Sequence, residues 1–466
     1  MACTAPISQI LGVLADAFAG AESITVSGAV RLDQPIMGLS TDSRTTAPGQ
    51  LFLALVGDSF DGHGFLAAAQ ARGAIAAIVS RQTPADLSPS QAIDLPQILV
   101  PDTLVAYQAI ARWWRQQCRA TVVAITGSVG KTTTKELIAA VLATQGHVLK
   151  TQANYNNEIG VPKTLLELTP DHDYAVVEMG MRGRGEIALL CQIAQPDVGL
   201  ITNVGTAHIE RLGSEAAIAQ AKCELLAELP PTSVAVLNGD DRRLQQTAKT
   251  VWSGKTVTYG LEQGDILGSV EAEQMQVEGE RFPLPLPGRH NAQNFLAAMA
   301  VAQVLGVDWA PLQAGLSVTL PMGRSQRYEL PDDVVLLDET YNAGLESMVA
   351  ALTMLSEASG TRRIAVLGTM KELGDHSVML HRRVGEAVKR LGVDMLLILA
   401  DEAERRSLAE GADDVASEWF TSRADLVERL VVLVQPGDRV LFKASRAVGL
   451  DAVVEQLRQR WAERLG

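Results

Sequence analysis

Along most of this chain short apolar runs alternate with amphipathic stretches, and that rhythm is its first structural statement. Thr121-Val122-Val123-Ala124-Ile125 is rich in β-branched residues and short enough to be a buried strand. Tyr174 to Val177, Val198 to Thr202 and Val234 to Leu237 repeat the pattern, with helix-like segments between them. Strands and helices in alternation predict a parallel sheet covered by helices. A Pro-rich passage, Phe282 to Gly288, reads as an internal loop before a helix that contains Asn294 and the alanine-rich Leu296 to Ala302. After Pro321-Met322-Gly323 the alternation restarts, with strands at Val334 to Leu337, Ile364 to Leu367, Met395 to Leu399 and Val440 to Lys443, so the last third reads as a second doubly wound, Rossmann-like α/β unit. The first hundred residues mix short apolar runs with turns, as at Asp42-Ser43-Arg44 and Asp61-Gly62-His63-Gly64, and predict a small α/β domain. An amphipathic stretch holding Trp113 and Trp114 joins it to the rest.

The chain's 466 residues suggest three domains at a typical size of about 150 residues each. With boundaries at the two breaks in pattern, these are residues 1–118, 119–321 and 322–466. Hydrophobic residues make up 47% and charged residues 20%, a profile of a soluble globular protein with little disorder. Cys3, Cys118, Cys191 and Cys223 are scattered without CxxC spacing, which points away from a zinc site or a disulfide framework and toward a reducing cytoplasm. Neither a signal peptide nor a membrane span of about 20 apolar residues is expected. A net charge of -14 disfavours nucleic acid as the main partner. A small anionic substrate needs only a local basic pocket.

Candidate chemistry begins at Thr126-Gly127-Ser128-Val129-Gly130-Lys131-Thr132. A strand ending at Ile125, a glycine turn, and a helix over Thr132 to Ala143 present backbone N–H groups and a helix N-terminus to phosphate. Lys131 would meet the β- and γ-phosphates of ATP, and the Thr132 hydroxyl a Mg²⁺ ion. The GxxxxGK[ST] pattern is incomplete, because Ile125 stands at the place of its first glycine.

Glu178, at the end of an apolar strand, could supply a hard oxygen to magnesium, although such a residue is ordinarily a solvated charge or a cap. His208 follows another apolar run, and a lone histidine there is ordinarily structural. Lys222 lies on a helix over Ala216 to Leu229, where an exposed lysine is the plain expectation. Arg324 and Asp338 could equally be surface charges. Parallel strands deliver their C-terminal ends to one edge, and only that gives Glu178 and His208 weight beside the phosphate loop.

In order, Thr126 to Glu136, Asn156-Asn157-Glu158-Ile159-Gly160-Val161-Pro162, Val177-Glu178-Met179-Gly180, Asn203-Val204-Gly205 with Ala207-His208, Ala221-Lys222-Cys223-Glu224, Gly288-Arg289-His290-Asn291 with Asn294, Gly323-Arg324, and Asp338 with Tyr341-Asn342 closely resemble the Mur ligases of peptidoglycan synthesis. The Asn156 to Pro162 run and Tyr341-Asn342-Ala343 look like the member that joins D-alanyl-D-alanine to UDP-N-acetylmuramoyl-tripeptide. Two runs depart from that pattern: Asn342-Ala343-Gly344-Leu345 replaces Asn-Ala-Asn-Pro, and Lys443-Ala444-Ser445-Arg446 replaces Lys-Gly-Ser-Arg.

The resemblance implies an amide ligase working through an acyl phosphate. It implies that Thr126 to Thr133, Asn294, Arg324, Asp338 and Tyr341 bind ATP. Thr132, Glu178 and His208, with Lys222 if carbamylated, would hold Mg²⁺. Ser43, Arg44 and His63 would hold the uridine nucleotide in the first domain, with Asn157 on the nucleotide-sugar and Asn342 on the substrate side. Lys131, Glu178, His208, Lys222 and Arg324 would carry the catalysis, the third domain would close over the second, and the protein would be a monomer. Folylpolyglutamate synthase shares the loop, but the roughly 120 residues ahead of it count against that reading. A Mur ligase adding a different amino acid is the nearer alternative, and a nucleotide-switched binding protein would have no use for a two-metal acceptor site.

Overall fold

The computed structural model describes residues 3–18, 24–81 and 94–463. Three α/β units follow one another. In the first, a five-stranded sheet runs in the order Thr25–Ser27, Gln97–Leu99, Ala76–Val79, Leu51–Leu53, Leu39–Ser40, and a two-stranded antiparallel pair joins Thr4–Pro6 to Pro35–Met37. Leu39–Ser40, Leu51–Leu53 and Ala76–Val79 are parallel neighbours, so the turn after Ser40, the loop after Leu53 and Ser80 open on one edge. Helix Thr103–Gln117 leaves this unit capped by Asp102 and packs onto the next, where the Trp114 indole N–H donates to the Leu168 carbonyl at 3.1 Å.

The central sheet has nine strands. Thr121–Thr126, apolar and buried from Val122 onward, lies between Tyr174–Glu178 and Val198–Ile201, which is where burial on both faces requires such a run to sit. Val148–Lys150 continues the sheet on one side; Val234–Asn238, Thr256–Gly260 and Ile266–Glu271 continue it on the other, all parallel. Beyond them Gln274–Val277 and Glu280–Pro283 add an antiparallel ribbon. The Pro-rich passage thus begins as an edge strand, where Pro283 costs no ladder hydrogen bond.

Helix Lys131–Leu142 packs against helix Arg289–Leu305. Ala292, Ala297, Ala298, Ala300 and Ala302 are fully buried on the latter, and their small side chains let the backbones approach closely. Gly306, at φ 71°, ends that helix in the left-handed conformation that favours glycine.

In the last unit, six strands run Gln326–Leu330, Val334–Asp338, Arg439–Lys443, Arg363–Gly368, Met395–Leu399, Ala416–Phe420. All but the first are mutually parallel. Strand order reverses between Arg363–Gly368 and Arg439–Lys443, as in a doubly wound sheet. No helix among the described residues is long and apolar enough to cross a membrane.

Candidate active site

Three adjacent central strands end at the same edge, and each contributes. From Thr121–Thr126 the chain turns through Gly127, at φ 152°, and Gly130, at φ 84°, into helix Lys131–Leu142. Both glycines are also sterically required. A Cβ on Gly127 would fall 1.9 Å from Thr202 Oγ1, and one on Gly130 would fall 2.7 Å from Asn294 Oδ1.

The next strand clamps the loop. Thr202 Oγ1 donates to the Val129 carbonyl at 2.7 Å, and Asn203 bonds Val129 at both N–H and C=O, each at 3.0 Å. The Ser128 N–H donates to the Asn203 carbonyl at 3.0 Å, while Ser128 Oγ accepts the Gly205 N–H at 2.8 Å. Thr202, Asn203 and the Gly205 N–H, which follow the strand Val198–Ile201, therefore fix the loop before any phosphate arrives.

Glu178 ends the neighbouring strand and is buried, not solvated. Its carboxylate accepts from Thr132 Oγ1 at 2.9 Å and from Asn156 Nδ2 at 2.8 Å. Lys135 Nζ stands 3.9 Å away, buried, and donates to the Thr151 carbonyl at 2.7 Å. Lys131 Nζ donates to the Gly127 carbonyl at 2.8 Å, and burial pushes its ammonium below the ordinary lysine range, an effect Arg324 reinforces and Glu178 opposes.

Lys222 overturns the plain expectation for a lysine on a helix. It is 1% exposed on helix Glu215–Ala227, and burial, with Lys131 nearby, holds its amine well below the lysine range. Thr126 Oγ1 is buried without a hydrogen-bond partner. His208 adopts φ 67°, and its Nδ1 lies 2.7 Å from Glu372 Oε2 of the last unit, off the axis of a hydrogen bond; the ring holds Glu372 below the ordinary carboxylate range.

The last unit brings its own groups to the same place. The Arg324 guanidinium stacks on Tyr341 at 3.8 Å, leaving Nε without a hydrogen-bond partner. Asp338 is buried, accepts from the Thr340 hydroxyl at 2.6 Å, and is raised above the ordinary carboxylate range by burial. Asn294 accepts from Thr134 Oγ1 at 3.2 Å beside Gly130. Lys443 donates to the Asn342 carbonyl at 3.0 Å, while the exposed Asn342 side chain accepts its neighbour's N–H.

Ser43, Arg44 and His63 lie apart, on the edge of the first sheet. Arg44 chelates Asp42, holding it down to about 2, and Asp42 also feels Lys163 of the central unit. His63 Nδ1 lies 2.6 Å from Asp61, and Nε2 accepts the Ser80 N–H at 3.0 Å, so the ring is the Nδ1–H tautomer. Asn157 spends its side-chain oxygen on the Gly160 N–H at 2.9 Å, capping helix Gly160–Leu166. Asn156, one residue earlier, is the one that reaches Glu178. Asn156, Lys135, Thr202, Glu346 and Glu372 are not marked as site residues by the sequence; Asn156 and Lys135 lie inside the family-like runs and Thr202 ends an apolar one, whereas Glu346 and Glu372 carry no local signal.

A preformed phosphate loop, buried oxygen donors and basic groups from a second α/β unit define an ATP-using enzyme whose site is completed between domains. Residues 125–302 match the Mur ligase middle domain, residues 323–446 the Mur ligase, glutamate ligase domain, and residues 35–115 the Mur ligase family, catalytic domain. The chain is 58% identical to the UDP-N-acetylmuramoyl-tripeptide–D-alanyl-D-alanine ligase of Synechocystis, over 91% of this chain and 92% of that one. Identity to the Escherichia coli ligase of the same name is 38%, over 97% and 98%. Among solved structures, a MurF of Acinetobacter baumannii superposes with a TM-score of 0.87 at 31% identity, covering 98% of this chain and 99% of that one. A MurF ligase of Thermotoga maritima in complex with ADP gives 0.80 at 31%, covering 92% and 98%. The chain belongs to the Mur ligase family.

Proposed function

We propose that this enzyme joins D-alanyl-D-alanine to UDP-N-acetylmuramoyl-tripeptide with hydrolysis of ATP to ADP and phosphate, in the cytoplasm and as a monomer. The observation that carries this reading is likeness, over nearly the whole chain, to ligases of that specificity. Residues 1–118 form the uridine-nucleotide domain, 119–321 the ATP-binding domain and 322–466 the domain that completes the site.

The tripeptide carboxylate attacks the γ-phosphorus of ATP and ADP leaves. The dipeptide amine then attacks the acyl carbon of the resulting acyl phosphate, loses a proton, and phosphate leaves. Both reactants of the first step are anions, so charge neutralisation dominates its barrier. Lys131 and Arg324 face that charge from two domains, and their mutual repulsion is relieved when triphosphate lies between them. Asn294 and Tyr341 flank the nucleotide, and Asp338, an acceptor already braced by Thr340, receives its ribose hydroxyls. Ser43, Arg44 and His63 hold the uridine diphosphate, Asn157 the nucleotide-sugar, and Asn342 lies on the substrate side.

The donor set suits magnesium. Thr132 Oγ1 and Glu178 Oε2 are hard oxygens in buried side chains, 2.9 Å apart. Among the described residues no three His, Cys, Asp or Glu side chains gather at one point, so phosphate and water oxygens would complete the shell. Thr132 and Glu178 would hold one ion, and His208 with carbamylated Lys222 a second, supplying charge compensation to the transferring phosphoryl group. Because Lys222 is buried beside Lys131, its amine is biased to the neutral, nucleophilic form that adds carbon dioxide, losing a proton to give an anionic carbamate.

The test is phosphate release by purified protein with ATP, Mg²⁺ and UDP-N-acetylmuramoyl-tripeptide, with and without D-alanyl-D-alanine. Turnover that does not depend on the dipeptide would sink the assignment.

A further inference from the structure

We propose that Glu346 is a positioning residue that ties the last unit to the phosphate loop and keeps water from the acyl phosphate. The proposal rests on the ligase reading above and assigns that reading's site a part it does not include. Glu346 lies in the first turn of helix Leu345–Glu357, immediately after the Gly344-Leu345 departure. Its carboxylate reaches into the central unit and accepts both polar hydrogens of one residue, the Thr206 N–H at 2.8 Å and the Thr206 hydroxyl at 3.1 Å.

Close approach makes this possible. A Cβ on Gly205 would lie 2.4 Å from the Glu346 carboxyl carbon, so only glycine admits the carboxylate there. The same Gly205 donates its N–H to Ser128 Oγ of the phosphate loop at 2.8 Å. A chain of contacts therefore runs from the last unit, through Thr206 and Gly205, into the loop that holds phosphate. Thr206 is buried, so without Glu346 its N–H loses both partner and water, and the penalty falls on the segment that braces Ser128. A second tie lies nearby: Glu372 meets His208, and Gly374 packs against Glu210.

The consequence is coupling. When the clasp is made, the acyl phosphate meets only the amine. When it loosens, water attacks the acyl carbon, the bond to the phosphate oxygen breaks, and the carboxylate is regenerated with phosphate released, so that ATP is spent without a peptide bond.

The experiment measures phosphate released per peptide bond formed by the full-length enzyme, for the parent and for Glu346→Ala, Glu346→Gln and Gly205→Ala. The parent should give a ratio near one, and its failure to make any peptide would refute the ligase reading and leave nothing for a clasp to do. Glu346→Ala should lower the ligation kcat by about tenfold, from loss of charge-assisted hydrogen bonds, and raise the ratio several-fold. Glu346→Gln, which keeps one acceptor in the same shape, should restore part of both, while Gly205→Ala should uncouple as Glu346→Ala does. The KM for ATP should stay within threefold, and a cooperative melting transition that stays well above the assay temperature shows that the effect is not unfolding. A ratio that remains at one in Glu346→Ala, with kcat unchanged or merely reduced along with stability, overturns the proposal.

Discussion

Gly127→Ala is the sharpest probe of the phosphate loop, because two independent costs are fixed by its geometry. The backbone at φ 152° is one that L side chains rarely adopt, and forcing it costs about 1–3 kcal/mol. The new methyl would also sit 1.9 Å from Thr202 Oγ1 and 3.1 Å from Thr202 Cβ. Thr202 must rotate away, surrendering its 2.7 Å hydrogen bond to the Val129 carbonyl, worth about 1 kcal/mol. Together these come to about 2–4 kcal/mol charged against the nucleotide-ready loop, and at about 1.4 kcal/mol per tenfold the affinity should fall at least about 30-fold. Calorimetric titration with ADP measures it. Gly279→Ala is the control, since Gly279 at φ 86° has open space around it in the antiparallel ribbon and carries only the backbone cost, away from the loop. ADP affinity in Gly127→Ala within threefold of the parent would refute the idea that Thr202 and the glycine backbone hold the loop ready.

Other consequences can be tested alongside it. Glu178→Gln keeps the shape and one acceptor, so its carbonyl can still take the Asn156 amide while its NH₂ donates to the Thr132 hydroxyl, yet it removes the anion beside Lys135 and Lys131; the fold should persist while kcat/KM for ATP drops by about 100-fold or more in steady-state phosphate release, and more than a tenth of parent activity would contradict the role. With ¹³C-bicarbonate, NMR should show a carbamate carbonyl that is absent from Lys222→Arg, and its absence from the parent would remove the modification. Gly368→Ala places a methyl 2.7 Å from Ala444 Cβ, 2.9 Å from the Leu399 carbonyl oxygen and 3.0 Å from Val448 Cγ1, and should lower stability by about 1–3 kcal/mol in urea unfolding, with Ala444→Gly restoring only part of it because the Leu399 contact remains. Asp42 should titrate near 2 by carboxyl NMR and move back toward 3.8 in Arg44→Ala. Because its folded value is the lower one, the pair's stabilisation is present above pH 3.8 and lost as pH falls through 2, and solvent exposure keeps it small.

Much of the fold is legible in local pattern because strands such as Thr121–Thr126 and Val334–Asp338 are buried on both faces and so are written as uninterrupted apolar runs. The antiparallel ribbon is not written that way. Ile266–Glu271, Gln274–Val277 and Glu280–Pro283 bury one or two side chains each and leave the rest to solvent, a signal that polar turns imitate. Ala416–Phe420 is an edge strand with no fully buried residue, and it is equally silent. The same holds at Gln326–Leu330, whose only partner strand among the described residues is Val334–Asp338.

The site divides along a similar line. Its phosphate loop is local, one strand-turn-helix of contiguous residues, and is readable as such. Lys222 gives no local sign of its burial, and the like charge of Lys131, which adds to the effect of burial on its amine, lies 91 positions away in the chain. Glu346 and Thr206 are separated by 140 positions, and neither sits in a pattern that names the other. The two departures from the family pattern acquire physical meaning only in three dimensions. Ala444 is fully buried, and its methyl sits against Gly368 of the adjacent parallel strand, where a Cβ would lie 2.7 Å away, so the methyl is accommodated because its neighbour is glycine. Gly344-Leu345 opens the helix that delivers Glu346 to Thr206. The phosphate loop is thus held at the central sheet edge by Thr202 and Asn203, and the last unit adds Arg324, which bears on Lys131, and Glu346, which reaches Thr206.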